Sequence, residues 1–303
     1  MKAKIFLLKT RSGLHCGIGQ GLSDIDLPTA REAVSGYPFV PGSSIKGVLR
    51  DHFQQTATDQ KKFEAAFGSE AGPGDLGASA LSFGDARLLC LPVRSCFGTF
   101  AYMTSPYALT VFGEAAMRAR LAVPPALPTF PEQTDTYHAA VPDGSALLSG
   151  NQNPRVLLED IDLLRHAAAA ETANQWAERL AAYLFPESTA MNTQGRDLFK
   201  QRFVIVHDDV MAFLCTTALP VAARIRIGER GVVERGALWY EEFVPPESIF
   251  AGSLLAEATR GEKKYSARDM FDLVSGSPLD FQVGVDATVG RGLVSMHCVA
   301  QED

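Results

Sequence analysis

Residues 279–299 read LDFQVGVDATVGRGLVSMHCV, and the two ends of this stretch decide the fold class. Leu279–Val283 and Leu293–Val299 are short apolar runs of strand type. Between them lies the glycine loop Gly284-Val285-Asp286-Ala287-Thr288-Val289-Gly290-Arg291-Gly292. A glycine loop after a strand also begins a dinucleotide-binding crossover, but that unit needs a helix straight after the glycines. Here a strand follows instead, so the dinucleotide reading fails. A Walker loop fails as well, because no Gly-Lys-Ser/Thr occurs. Two readings stay open. Consecutive N–H groups can form an anion nest, with Arg291 as a phosphate fork, or the loop is a tight structural turn.

Elsewhere strands and helices mix without regular alternation, which predicts an α+β fold rather than a doubly wound sheet. A strand is expected over residues 2–11. A helix opens at Pro41-Gly42-Ser43-Ser44, with serine at its cap, and runs to about residue 55. Further helices are expected at 63–67, from 106 to about 120, at 170–184 with Trp176, Leu180 and Tyr183 on one stripe, and at 267–273. Strands are expected at 81–91 and 203–206. Arg224–Ile227 and Ala237–Phe243 flank Gly228-Glu229-Arg230-Gly231 and read as a hairpin. Residues 12–41 form a long loop and 69–79 a linker. Nothing regular is predicted between Pro246 and Ala267.

The chain has 303 residues, of which 46% are hydrophobic and 21% charged, enough for a core and too apolar for wholesale disorder. No apolar run approaches the length of a membrane span, and the first residues do not form a signal peptide, so a cytoplasmic protein is expected. Five cysteines, none in a C-x-x-C pair, predict buried free thiols rather than disulfides or a zinc site. The net charge of −7 disfavours a free-standing nucleic-acid binder. Residues 1–50, however, carry seven Lys/Arg against three Asp/Glu, a basic region on an acidic body.

Four constellations carry chemistry. In Pro41–Arg50 a helix start offers free N–H groups, Ser43 and Ser44 offer hydroxyls, and Lys46 and Arg50 share one face: a seat for phosphate, or an ordinary capped surface helix. Ser43-x-x-Lys46 also matches a serine acyl-enzyme signature, but its companion motifs are missing. The second constellation is the 284–292 loop. The third is the loop after the first strand, with His15, Asp24, Asp26, Arg31 and Glu32. Its carboxylates suit Mg²⁺ completed by substrate phosphate, and His15 suits a base, although solvated loop charge is the commoner role of any one such residue. The fourth is the hairpin, where Arg224 and Arg226 fall on one strand face and an apolar tip could wedge between bases.

Taken together, these segments resemble the backbone-subunit family of type III-B CRISPR (Cmr) effector complexes, the fourth-Cmr-protein family of the RAMP superfamily. The resemblance runs through Asp26-Leu27-Pro28 with Arg31-Glu32, Gly36-Tyr37-Pro38, the Pro41–Arg50 helix start, Asp85-Ala86-Arg87-Leu88-Leu89, Pro92-Val93-Arg94-Ser95, Thr104-Ser105-Pro106, Ala237–Pro246 and the glycine loop. It implies a modified ferredoxin-like (RRM-like) RAMP fold over 1–303. Insertions are expected near 122–155 and 186–200, and a β-hairpin thumb at about 216–248. It implies copies stacked into a helical backbone along a guide crRNA, beside other Cmr subunits, with no membrane partner. It implies cleavage of complementary target RNA at regular intervals, with Asp26 catalytic and Mg²⁺ held there only when RNA is bound. RNA contacts are expected from His15, Ser43, Ser44, Lys46, Arg50, Arg224, Arg226, Gly290, Arg291 and Gly292.

Overall fold

A computed structural model describes residues 1–299 apart from 18, 20–24, 70–78, 132–135, 151, 188, 229–230 and 260–263. Asp24, the middle of the 69–79 linker and the turn residues Glu229 and Arg230 therefore lie outside the described residues. The chain divides into two compact units, one built from Met1–Arg87 and Leu219–Cys298, the other on Leu88–Ala218.

The first unit begins with β1 (Lys2–Thr10), β2 (Phe39–Val40), α1 (Gly42–Thr56), α2 (Gln60–Phe67) and β3 (Leu81–Phe83). The chain continues through β4 (Ala86–Arg94), β5 (Phe100–Thr104), α3 (Pro106–Arg118), β6 (His138–Ala140), β7 (Arg155–Leu158) and β8 (Ile161–Arg165). Then come α4 (Ala170–Leu184), α5 (Ala190–Arg202), β9 (Phe203–Val206) and α6 (Asp208–Thr217). It returns to the first unit for β10 (Val221–Ile227), β11 (Val233–Glu242), β12 (Ile249–Ala256), α7 (Ala267–Val274), β13 (Leu279–Gln282) and β14 (Leu293–Cys298).

In the first unit the strand order is β13-β14-β1-β12, antiparallel throughout, with β3 beside β12. Ile5, Phe6, Leu7 and Leu8 of β1 are all buried, as expected of a strand with both faces covered. Helix α1 buries Ile45 and Leu49, four residues apart, and runs within 8 Å (Cα–Cα) of β3 and β13. Its proximity to β13 brings the helix beside the strand that leads into the glycine loop. Strands β10 and β11 form a separate two-stranded ribbon.

In the second unit β5 is antiparallel to β4 and parallel to β9; β6 joins β9 to β8, and β7 closes the edge. Helix α4 has the predicted span and buries Trp176, Leu180 and Tyr183. The expected insertions at 122–155 and 186–200 both fall in this unit. The second of them is largely α5, capped by Thr189 and anchored by buried Phe199.

Four expectations need correction. Strand β12 was not predicted, yet it is the main partner of β1. Its centre, Ala251-Gly252-Ser253, hides the alternation because the space above Gly252 is filled from the opposite strand. Phe6 pairs with Gly252, and a Cβ on Gly252 would lie 2.2 Å from Phe6 Cζ. The hairpin starts later than the expected 216, because Thr216 and Thr217 finish α6, and its second strand begins at Val233, ahead of the expected Ala237. The first helix is capped by Pro41, not by serine, and the Asp85 carboxylate accepts the Gly42 N–H at 2.8 Å. Of the cysteines, Cys16, Cys90 and Cys215 are buried free thiols as expected, whereas Cys96 is exposed.

Gly252→Ala should destabilise the first unit by about 1–3 kcal/mol through overpacking against Phe6. Phe6→Leu in the same chain should recover part of that loss. Urea unfolding of the two variants and the double variant checks it, and strict additivity would count against this contact.

Candidate nucleic-acid interface

The ribbon of β10 and β11 has two unlike faces. Cross-strand pairs Ala223–Tyr240, Ile225–Leu238 and Ile227–Val233 put aliphatic and aromatic side chains on one of them. Ile225, Ile227, Val233, Leu238 and Tyr240 are all exposed, Ile227 the most at 62%. Apolar side chains lost to water over a whole strand face are unusual unless something covers them. Arg224, opposite Trp239, lies on the other face as predicted, whereas Arg226 stands at an irregularity of the register between Ile225 and Ile227.

The loop after β1 is stitched to the root of this ribbon. Leu27 N–H donates to Tyr240 O at 3.0 Å, and Glu242 N–H donates to Leu27 O at 3.0 Å, a parallel bridge. Asp26 itself is exposed, and its Oδ2 accepts the Tyr240 N–H at 2.7 Å. Three residues further, Thr29 N–H donates to Glu242 Oε2 at 3.1 Å, and Arg31 reaches Glu242 Oε1 at 2.6 Å. Glu32 forms a two-point ion pair with Arg87, and Ser35 donates to it at 2.6 Å.

Glu241 and Glu242, adjacent on β11, are 1% and 3% exposed. The sequence reading passed over this pair. The signal was present in Trp239-Tyr240-Glu241-Glu242-Phe243-Val244: two carboxylates in an otherwise apolar strand must find cations if they are buried. Glu241 Oε2 accepts from Arg224 Nε at 3.0 Å, and Arg224 also bonds Asp286 in the glycine loop. Arg291 Nη1 stands 4.0 Å from Glu241 Oε1.

Several predicted RNA contacts are therefore placed elsewhere. His15 is 2% exposed, with Nδ1 2.6 Å from Glu242 O; this carbonyl requires the proton on Nδ1, and no open surface remains for RNA or for a base. Arg291, expected as a phosphate fork, lies with its guanidinium 4.0 Å from the Phe243 ring centroid and faces Glu241. Gly292 is buried at φ +75°, where a Cβ would meet Val283 O at 2.2 Å, and its N–H goes to Gly13 O. The anion-nest reading of the loop weakens with it. The N–H groups of Val285, Val289, Gly290, Arg291 and Gly292 all bond backbone carbonyls, so the loop behaves chiefly as a structural turn. Gly290 stays exposed at φ +82°.

Helix α1 keeps the cationic feature. Lys4, Lys9, Arg11 and Arg31 are engaged by Ser275, Glu247, Ser295 and Glu242, which spends most of the basic N-terminal region internally. Lys46 is half-buried and makes no hydrogen bond or ion pair among the described residues. Burial, and secondly the Arg50 guanidinium, pull its ammonium below the ordinary lysine range. A half-buried cation beside a second cation is a place where a phosphate is stabilising. Ser43 at the helix start is exposed and Ser44 half-buried. Arg226 is mostly exposed, 3.8 Å from Glu234.

For a metal ion, Asp26 is a lone donor. Among the described residues no three His, Cys, Asp or Glu side chains converge. Asp26 Oδ2 is engaged by Tyr240, so a magnesium ion there would draw its remaining ligands from RNA phosphate oxygens and water, which suits that ion.

A family model described as the RAMP superfamily matches residues 7–295. A Pyrococcus furiosus protein named CRISPR system Cmr endoribonuclease Cmr4 is 31% identical over 299 residues, 98% of this chain and 95% of that protein. The chain belongs to the Cmr4 family of the RAMP superfamily. A Saccharolobus solfataricus protein named CRISPR system CMR subunit Cmr4 is 24% identical over 97% of this chain and 96% of its own length. Among solved structures, oligomeric Cmr4 from Pyrococcus furiosus superposes with a TM-score of 0.70 at 25% identity over the whole of both chains. A chain of the type III-B Cmr-beta complex bound to cognate target RNA gives 0.71 at 19% identity, covering 98% of this chain and 97% of that one, a likeness of fold. The expected α+β RAMP fold is thus the observed one. Among the described residues no helix is long and apolar enough to cross a membrane.

Arg50→Gln should move the Lys46 titration part of the way back towards the ordinary lysine value, because burial, the larger cause, remains. NMR of reductively ¹³C-methylated lysines follows this directly; an unchanged Lys46 midpoint would show that the two cations do not sense each other.

Proposed function

We propose that this chain is a repeated backbone subunit of a type III-B CRISPR effector complex in the cytoplasm. It grips guide RNA through phosphates and cuts complementary target RNA at regular intervals through Asp26. The observation that carries this reading is the exposed Asp26 carboxylate held by the Tyr240 N–H at the root of a ribbon with an exposed apolar face. The endoribonuclease name of the Pyrococcus relative and the target RNA bound to the Cmr-beta complex support it.

The ribbon acts as the thumb. Its apolar face, Ile225, Leu238, Ile227 and Val233, inserts where the guide–target duplex is opened, unstacking a base step. The splayed target nucleotide brings its 2′-hydroxyl in line with the next phosphate, beside Asp26. The 2′-oxygen then bonds phosphorus as the 5′-oxygen leaves and takes a proton from water, giving a 2′,3′-cyclic phosphate and a 5′-hydroxyl. Asp26 orients the attacking hydroxyl and takes part in moving its proton. Magnesium bound by Asp26 and RNA oxygens would supply charge stabilisation at the reacting phosphate. Guide contacts through Lys46, Arg50, Ser43 and Ser44 carry no sequence information, which suits a subunit that must accept any guide. Stacked copies, with other Cmr subunits, repeat the same site along the duplex.

Asp26→Ala is expected to abolish target cleavage in the assembled complex while leaving assembly and guide content intact. Retained cutting would reduce the subunit to an RNA-binding scaffold. Lys46→Ala is expected to weaken guide binding and to lower the salt slope of log K by roughly 0.7, the loss of one single-strand phosphate contact. An unchanged slope would remove Lys46 from the interface.

A further inference from the structure

Glu242 spends its polar groups on one arc of chain. Its N–H goes to Leu27 O at 3.0 Å, and its C=O takes the His15 Nδ1 proton at 2.6 Å. Oε2 accepts from Thr29 N at 3.1 Å, and Oε1 accepts from Arg31 at 2.6 Å. These contacts grip both limbs of the loop that carries Asp26: His15 before it, and Leu27, Thr29 and Arg31 after it. The described part of that loop has no regular element of its own before β2. It is tied down by isolated bridges, Gly17–Thr29, Leu27–Glu241 and Arg31–Pro38. Beside Tyr240, whose backbone bonds Asp26 and Leu27, Glu242 is thus the strand residue whose side chain fixes where the loop sits against the thumb root.

We infer that Glu242 is a positioning residue for target cleavage, holding the Asp26 loop in register with the thumb through the Thr29 N–H and the Arg31 guanidinium. This rests on the assignment of Asp26 as the cutting carboxylate. The physical case is one of economy. The Glu242 side chain is only 4% exposed, and a buried carboxylate is costlier than an apolar side chain of similar volume unless its partners are well placed. What the carboxylate adds over a leucine is direction: two acceptor atoms aimed at two donors two residues apart on the loop. In-line attack tolerates little displacement, and a shift of about 1 Å can cost roughly a hundredfold in rate without changing affinity. Glu241 has a different task. Its side chain faces Arg224 and Arg291 and ties the thumb to the glycine loop, on the strand face opposite to the Glu242 side chain.

The test uses complexes assembled with guide RNA and all subunits, carrying Glu242→Gln, Arg31→Gln, both, or Asp26→Ala. Target affinity and single-turnover cleavage rate are measured for each. Glu242→Gln keeps the shape and an acceptor for Thr29 but loses the charge opposite Arg31. Its expected result is target affinity within about twofold of wild type and a cleavage rate lower by at least roughly tenfold. Arg31→Gln should slow cleavage with the same split, and the double variant should be no slower than Glu242→Gln alone, since both act through one contact. A Glu242→Gln complex cutting at the wild-type rate overturns the inference. So does a parallel loss of affinity and rate. If Glu242→Gln does not assemble, Arg31→Gln decides: slow cutting with intact affinity supports the inference, and full-rate cutting overturns it. The Asp26→Ala complex separates the two levels. If it still cuts, the underlying reading falls; if it is dead while Glu242→Gln and Arg31→Gln cut normally, only the positioning role falls.

Discussion

Two adjacent carboxylates are buried at the base of a ribbon that otherwise faces solvent, and buried charge must be matched on the spot. Glu241 and Glu242 alternate along β11, so their side chains leave opposite faces of the strand. Each recruits its own cation: Arg224, with Arg291 close by, for the first, and Arg31 for the second. Through the first the ribbon is joined to the glycine loop at Asp286. Through the second it is joined to the loop carrying Asp26. Segments about 200 residues apart in sequence are thus brought to one place by a requirement that either carboxylate alone would meet only on one side.

The same matching explains why the cations most attractive in sequence are not free for RNA. An arginine two positions from its like on a strand, or in a glycine loop, suggests phosphate. Arg224 and Arg291 are instead used to neutralise Glu241, and Arg31 to neutralise Glu242. A guanidinium so placed offers RNA only what its carboxylate does not hold, and displacing the carboxylate would strand a buried charge. In the proposed reading the phosphate-gripping role would fall to cations without such a partner, and α1 supplies one in Lys46. Its depressed titration marks the ammonium as under-stabilised, the condition in which an incoming anion gains most.

Much of the fold was legible because it is written in local pattern. The α4 stripe, the strand at 203–206, the last strand from Leu293 and the helix from Ala267 follow from local pattern. What stayed hidden depends on a partner far along the chain. Strand β12 looks irregular until Phe6 is laid over Gly252; the α1 cap is Asp85, more than forty residues away. The site divides in the same way. Asp26, the hairpin and the Lys46–Arg50 face were visible as residues, although only resemblance singled Asp26 out from the other charges of its loop. The burial of His15 and the enlistment of Arg291 were not, because whether a polar group is spent inside a protein depends on contacts that no window of sequence contains.

A net charge of −7 remains compatible with RNA binding for a reason that follows from this accounting. With Lys9 and Arg31 of the first fifty residues ion-paired internally, one copy offers fewer phosphate contacts than its sequence suggests, and each releases less than one counterion on single-stranded RNA. A single subunit should therefore hold RNA weakly. In the proposed assembly each further copy adds its own small set of contacts along the same guide, and the contributions sum because the copies are linked. An acidic body is then an advantage. In the proposed array it would keep isolated subunits from gripping RNA indiscriminately, and would confine tight binding to stacked copies.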